Sequence, residues 1–329
     1  MEMDINMITA KGSSLRADKK KPRAAKGFVA KLRRDLRMHK WAYIMVLPVI
    51  IYYIIFCYVP MGGLVIAFQN YKANLGFLKS QWVGLHHFRA FINDPYFLRI
   101  VGNTFRISFS SLLFGFPMPI LLALLLNELR VTGFKRLVQT VSYFPYFISL
   151  VVVCGIMKNF LMSDGLLNDI LAAFGGERIS FLQEPQYFTS IYVISNIWQN
   201  IGWGSILYLS VLTGISPEYY EAATIDGAGR FRQTLYITLP CLQPTIVIML
   251  ILAIGGILNL GYEKIILLYN GSTYEKADVI SSYVYRMGLG GGTNLSYATA
   301  VGLLNSVCNL AFICGANFIS RRLGEVSLW

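Results

Sequence analysis

Three apolar stretches of this 329-residue chain carry amide and aromatic side chains where purely apolar ones would be cheaper. From 188 to 212 they are Asn196, Trp198, Gln199, Asn200 and Trp203. From 242 to 268 they are Asn259, Tyr262, Glu263 and Lys264, and from 297 to 319 Asn305 and Asn309. A buried polar group in a membrane helix is expensive, so it tends to be paired or functional. Aromatic faces stack on the apolar faces of sugar rings, and amides reach sugar hydroxyls, so the set suits a path for a sugar. Hydrogen bonding between helices is the competing reading, and Glu263 with Lys264 also reads as a plain helix end. An acidic sugar would need positive charge, which Lys264 or Arg106 could supply.

Covalent and phosphate chemistry find no support. No G-x-x-x-x-G-K-[ST] loop occurs. Gly288, Gly290, Gly291 and Gly292 are followed by Thr293-Asn294 with no lysine, and read as a flexible loop. No Ser-His-Asp order, carboxylate pair or metal cluster stands in a plausible site. Cys57, Cys154, Cys241, Cys308 and Cys314 form no C-x-x-C pair, and read as small apolar packing residues. His86 and His87 are adjacent, so on a helix they would not share a face. The chain is therefore expected to bind no metal or cofactor and to be no enzyme.

The elements that position these residues follow from composition. Hydrophobic residues make up 55% of the chain and charged ones only 14%, with a mean hydropathy of +0.52. Soluble domains carry about 25% charged residues. The apolar runs are apolar all round, so they are spanning helices and not barrel strands. An all-α polytopic membrane protein with six spans is expected: roughly Trp41–Val65, Phe105–Leu126, Leu137–Met157, Phe188–Leu212, Leu242–Leu268 and Tyr297–Ile319. Gly255, Gly256 and Gly261 would let the fifth approach a neighbour.

The net charge of +12 does not point to nucleic acid, because twelve of the 29 Lys and Arg residues lie between Lys11 and Lys40. Residues 1–40 read as a basic cytoplasmic tail that holds the N-terminus inside, by topology control or contact with anionic lipid, with a specific partner as the competing reading, ahead of a membrane domain over 41–329. No cleavable signal peptide is expected. With the N-terminus inside, cytoplasmic segments hold nineteen Lys and Arg against nine outside, which favours both termini in the cytoplasm.

The loop over 214–240 carries the most specific signal. Ser216 suits an N-cap and Pro217 the first helical position. Glu218 and Glu221 suit the dipole of the first turns, and Gly227 suits a left-handed stop. A helix of about ten residues follows. Its acids favour a protein partner over a membrane surface, and small Ala222 and Ala223 permit close docking.

Glu221-Ala222-Ala223, Gly227, Ile237 and Leu239-Pro240 keep the spacing of a loop found in permease subunits of binding-protein-dependent ABC importers, which this chain resembles from 41 to 329. Ile225-Asp226-Gly227-Ala228 with Phe231 and Pro244 is similar to the carbohydrate-uptake branch. Tyr262-Glu263-Lys264, Asp278-Val279-Ile280, Tyr283-Val284-Tyr285, Ala298 through Leu303 and Ser327-Leu328-Trp329 are similar to complex-oligosaccharide permeases, uronate importers included.

The resemblance implies a type I importer permease fold in the bacterial plasma membrane. It implies a first-type subunit of a permease heterodimer, two partner ATPases that use ATP and Mg, and an external solute-binding protein that delivers the sugar. Glu221, Ala222, Ala223, Asp226 and Gly227 would form the coupling helix and its turn. The competing readings are an importer permease for another solute and an ATP-independent secondary transporter. The latter would need intramembrane carboxylates or similar halves, and neither is seen.

Overall fold

The computed structural model describes residues 35, 37–291, 294–324 and 327–328. The basic tail expected over 1–40 lies outside them apart from 35 and 37–40, as do Gly292, Thr293 and Trp329. The chain divides into two compact units at Gly63/Leu64.

The first unit is built on α1, Lys40–Tyr53, which continues through a π-turn, Ile54–Tyr58, and Val59–Met61. Its residues are exposed all round. With no polar stripe, it is a helix that only an apolar medium or another protein can cover.

The second unit starts with a short hairpin. Strands β1 (Gln69–Asn70) and β2 (Gln81–Trp82) pair antiparallel. Helix α2, His86–Ile92, leads to α3, Phe97–Ser110, which passes through a π-turn at Ser111–Gly115 into α4, Pro117–Glu128. Pro117 and Pro119 lack N–H donors, which explains why the ladder is irregular just before them.

The span expected over 137–157 is broken. Helix α5, Thr132–Tyr143, ends before Pro145, and Ser149 caps a new helix, α6, Leu150–Leu161, by accepting from the Val152 N–H. Helix α7, Leu166–Ala173, follows. The fourth expected span forms as α8, Phe188–Thr213, whose 26 residues reach about 39 Å.

The loop helix α9, Pro217–Ile225, leads through Arg230–Gln233 and a π-turn into α10, Leu239–Gly255. The fifth expected span does not continue to 268. It ends at Gly255, and irregular chain precedes a separate short helix, α11, Tyr262–Leu268. Gly255 meets the expectation of close approach, since a Cβ there would lie 2.8 Å from Ile313. Helices α12, Ile280–Gly288, and α13, Leu295–Leu323, complete the unit.

Among the described residues, five helical stretches are long and apolar enough to cross a membrane: Lys40–Phe68, Phe97–Glu128, Leu150–Ala173, Arg230–Gly255 and Leu295–Arg322. Helix α8 is as long but more polar, because it carries Asn196, Gln199 and Asn200.

Helices α4 and α8 run parallel, with Gly115 beside Ile197 and Pro119 beside Gly204. Ala123 and Leu126 of α4 bury against Tyr208 and Leu212 of α8 and Leu242 of α10. At the other end, Asn103 donates to the carbonyls of Glu275 and Asp278, and Thr104 accepts from the Ile280 N–H. Buried Asp278 takes both guanidinium nitrogens of Arg286, at 3.0 and 2.9 Å, and the Ser282 hydroxyl. This web fixes the segment between α11 and α12 to α3.

Candidate functional site

Where α3, α8 and the chain after α10 face one another, a cavity of about 260 Å³ opens. Its polar lining comes from Ser108, Ser111, Asn196, Asn200 and Asn259. Each side chain is presented by a local feature of its helix. Asn196 and Asn200 stand one turn apart on α8, and the Asn200 amide donates to the Asn196 carbonyl at 2.9 Å and to its side chain at 3.0 Å. Ser111 begins the π-turn that precedes Pro117. Asn259 lies where α10 has stopped. Irregular backbone at membrane depth is tolerated where it lines a cavity, and Gly256, Ile257 and Leu260 do so here.

Asn259 is held from α13. Asn305 and Asn309 both donate to its side-chain oxygen, at 3.3 and 2.8 Å, while the Asn309 oxygen accepts from the Leu258 N–H at 3.1 Å. The Ser108 and Ser111 hydroxyls and the Asn305 oxygen are buried with no hydrogen-bond partner among the described residues. A lone buried hydroxyl costs on the order of 1–3 kcal/mol, so two on one cavity wall form a surface short of partners. Every polar side chain in the lining is neutral. Such a wall can give and take hydrogen bonds, but it cannot neutralise a charge or exchange a proton.

Of the residues singled out from sequence, Asn196, Asn200 and Asn259 come together here, with Asn305 behind Asn259. Trp198, Gln199, Trp203, Tyr262, Glu263 and Lys264 are not in its wall. Trp203 stacks on Tyr146 at 4.5 Å between ring centres, and Tyr262 on Tyr285 at 4.8 Å. Lys264 is 4% exposed, its ammonium has no hydrogen-bond partner among the described residues, and it lies 5.3 Å over the Tyr192 ring. Sequence reading passed over Ser108 and Ser111. The available signal was two hydroxyls one turn apart in a run that leads into prolines.

At the opposite end of α8, the loop helix α9 carries the second set. Ser216 takes the extended N-cap conformation but makes no side-chain capping bond. Gly227 is left-handed, with φ +75°. The Ala228 N–H reaches the Ala223 carbonyl and the Gly227 N–H the Thr224 carbonyl, which is a Schellman stop. Ile225 is 87% exposed and Phe231 82%. The helix is braced from one side: the Tyr220 hydroxyl meets Thr238 at 3.0 Å, and Gln233 donates to Thr224 at 2.9 Å and to the Ala228 carbonyl at 3.0 Å. Glu221, Ala222, Ala223, Asp226 and Gly227 thus form one rigid helix-and-turn with an exposed apolar edge.

The family described as binding-protein-dependent transport system inner membrane component matches residues 115–325. Protein LplB of Bacillus subtilis (strain 168) is 44% identical over 309 residues, covering 93% of this chain and 96% of its own length. The polygalacturonan/rhamnogalacturonan transport system permease protein YteP of the same organism is 44% identical over 295 residues, covering 89% and 92%. A chain of the bacterial alginate ABC transporter, solved in complex with an alginate pentasaccharide-bound periplasmic protein, superposes with a TM-score of 0.83 at 43% identity, covering 91% of this chain and 100% of that one. With its apolar helices, its neutral cavity and its loop helix, this chain belongs to the family of binding-protein-dependent transport system inner membrane components, and is a membrane-embedded permease subunit of an ABC importer.

Proposed function

We propose that this subunit passes an oligosaccharide, one containing uronate units, through the bacterial plasma membrane. The observation that carries the reading is the cavity of Ser108, Ser111, Asn196, Asn200 and Asn259, whose amides, with two buried and unpartnered hydroxyls beside them, match a polyhydroxylated cargo. Relatives described for polygalacturonan/rhamnogalacturonan and for alginate support the uronate class. At about 260 Å³ the cavity falls just short of ordinary ligand pockets of roughly 300–1,000 Å³. A second permease subunit in a heterodimer supplies the facing wall.

The cavity provides no energy source of its own. A pair of partner ATPases, using ATP and Mg, docks on α9, where Glu221, Ala222, Ala223, Asp226 and Gly227 act as the coupling helix and turn. An external solute-binding protein selects and delivers the sugar. Both termini face the cytoplasm, as the Lys and Arg distribution favours. Residues 41–329 form the permease domain, and the basic charge of residues 1–40 suits anionic lipid at the cytoplasmic face.

The test is uptake by proteoliposomes holding this chain with its partner permease, ATPases and binding protein. ATP-dependent accumulation of uronate oligosaccharides is expected. Accumulation of an unrelated solute class from a broad panel, or uptake without ATP, would overturn the reading.

A further inference from the structure

We propose that a second recess, walled by His86, His87, Asp94, Asn294 and Tyr297, is an outer receiving subsite for one pyranose unit of the oligosaccharide before it reaches the amide cavity. The inference rests on the sugar cargo and the orientation argued above. The recess measures about 600 Å³, within the size of ordinary ligand sites. It lies at the end of the unit away from the loop helix. Helix α13, which starts at Leu295, lines it at Tyr297 and reaches Asn305 about 12 Å further along, where the amide cluster begins. Most of its wall precedes residue 115, where the family match starts.

The chemistry of the wall is that of a hydroxyl-binding site. Asp94 accepts from the Tyr283 hydroxyl at 2.7 Å, the Tyr297 hydroxyl at 3.2 Å and the Tyr96 N–H at 2.8 Å. Burial, then hydrogen bonds to Tyr297 and Asp94, push the Tyr283 phenol well above its usual range, which keeps it a donor. No cation pairs with Asp94 among the described residues. Its carboxylate is a fixed acceptor with room for further donors.

His87 is 7% exposed and joins Gln69 by one ring nitrogen at 3.1 Å, while the other makes no hydrogen bond among the described residues. Imidazole, amide, carboxylate and the Tyr297 ring therefore converge where ring hydroxyls could both donate and accept. Arg89 stands one helical turn after His86, and Lys72 follows Tyr71, whose N–H donates to Ser296 beside Tyr297. Both are exposed cations on the segments that build the wall, which suits the carboxylate of a uronate.

The test titrates trigalacturonate into the nanodisc-held complex of this chain with its partner permease and ATPases, without binding protein. Ala90 lines the recess, and Ala90→Trp fills it without removing any bond named here. Saturable binding to wild type is expected, weakened at least about tenfold by Ala90→Trp. His86→Ala and Arg89→Gln should each weaken it about 3- to 10-fold, the value of one hydrogen bond. Equal binding by wild type and Ala90→Trp would overturn the subsite while leaving the cargo reading intact. Failure of wild type to take up any uronate oligosaccharide would instead remove the cargo reading. Unchanged titrations with loss of binding-protein docking in Ala90→Trp would make the recess a protein surface and overturn the proposal.

Discussion

The side-chain amide of Gln233 donates to the Thr224 hydroxyl at 2.9 Å, tying the last turn of the loop helix to the element that leads into α10. The same amide reaches the Ala228 carbonyl at 3.0 Å, so one residue spans the turn at Gly227. A lever that docks an ATPase can move a membrane helix only if the joint between them is stiff. Gln233→Leu keeps the size and removes both bonds. The expected result is ATP hydrolysis that continues while sugar uptake per ATP falls several-fold, measured side by side in proteoliposomes. An unchanged ratio would mean that the joint is stiff without Gln233.

Gly227 tests the same joint through the backbone. At φ +75° a β-branched residue is strongly disfavoured, and a left-handed L-residue costs about 1–2 kcal/mol. No other atom lies within 4 Å of a Cβ built there, so the effect of Gly227→Val is conformational and not a clash. Uptake should become uncoupled from hydrolysis in Gly227→Val, whereas Gly227→Asn, which tolerates this conformation, should retain most coupling.

Ser108 and Ser111 separate a binding role from a structural one. Removing a buried hydroxyl that has no partner should leave thermal stability unchanged or slightly higher. If the hydroxyls serve the cargo, Ser108→Ala and Ser111→Ala should each raise the uptake KM about 3- to 10-fold. A fall in melting temperature with an unaltered KM would mark them as packing residues.

Asn309 should behave in the opposite way. It is buried and holds both Asn259 and the Leu258 N–H, so Asn309→Leu strands the Leu258 N–H and leaves Asn259 with only the longer bond from Asn305. A loss of about 1–3 kcal/mol is expected, seen as a lower melting temperature of the purified complex. A stability equal to wild type would indicate that the irregular chain after α10 finds other partners.

How much of this was legible in the sequence depended on whether the signal was local. The loop helix was readable because Pro217, the acids and Gly227 act within one or two turns; the structure gives Pro217–Ile225 with the expected left-handed stop. The helix over 188–212 was readable as well, although it is not among the five stretches apolar enough to cross a membrane. The third and fifth spans were misjudged because hydropathy counts apolar residues and is blind to where the ladder breaks. Pro145 with Ser149 splits one, and the other stops at Gly255 although Ile265, Leu267 and Leu268 are as apolar as what precedes them. The cavity was half legible. Amides stand out in an apolar run, but which of them share a wall depends on contacts between α8, α3 and α13, separated by up to some two hundred positions. Lys264 and Trp203 looked equally suitable and turned inward or sideways.

One property of the amide cavity reaches beyond recognition. Its polar side chains, Ser108, Ser111, Asn196, Asn200 and Asn259, hold no titratable group. A gradient of protons has nothing on this wall to act on, whereas the membrane voltage acts on the carboxylates of a uronate cargo, at about 2.3 kcal/mol per charge and 100 mV. Inward movement of such an anion runs against an inside-negative potential, so directionality must be imposed from outside the passage, and the work asked of each ATP falls when the membrane potential collapses.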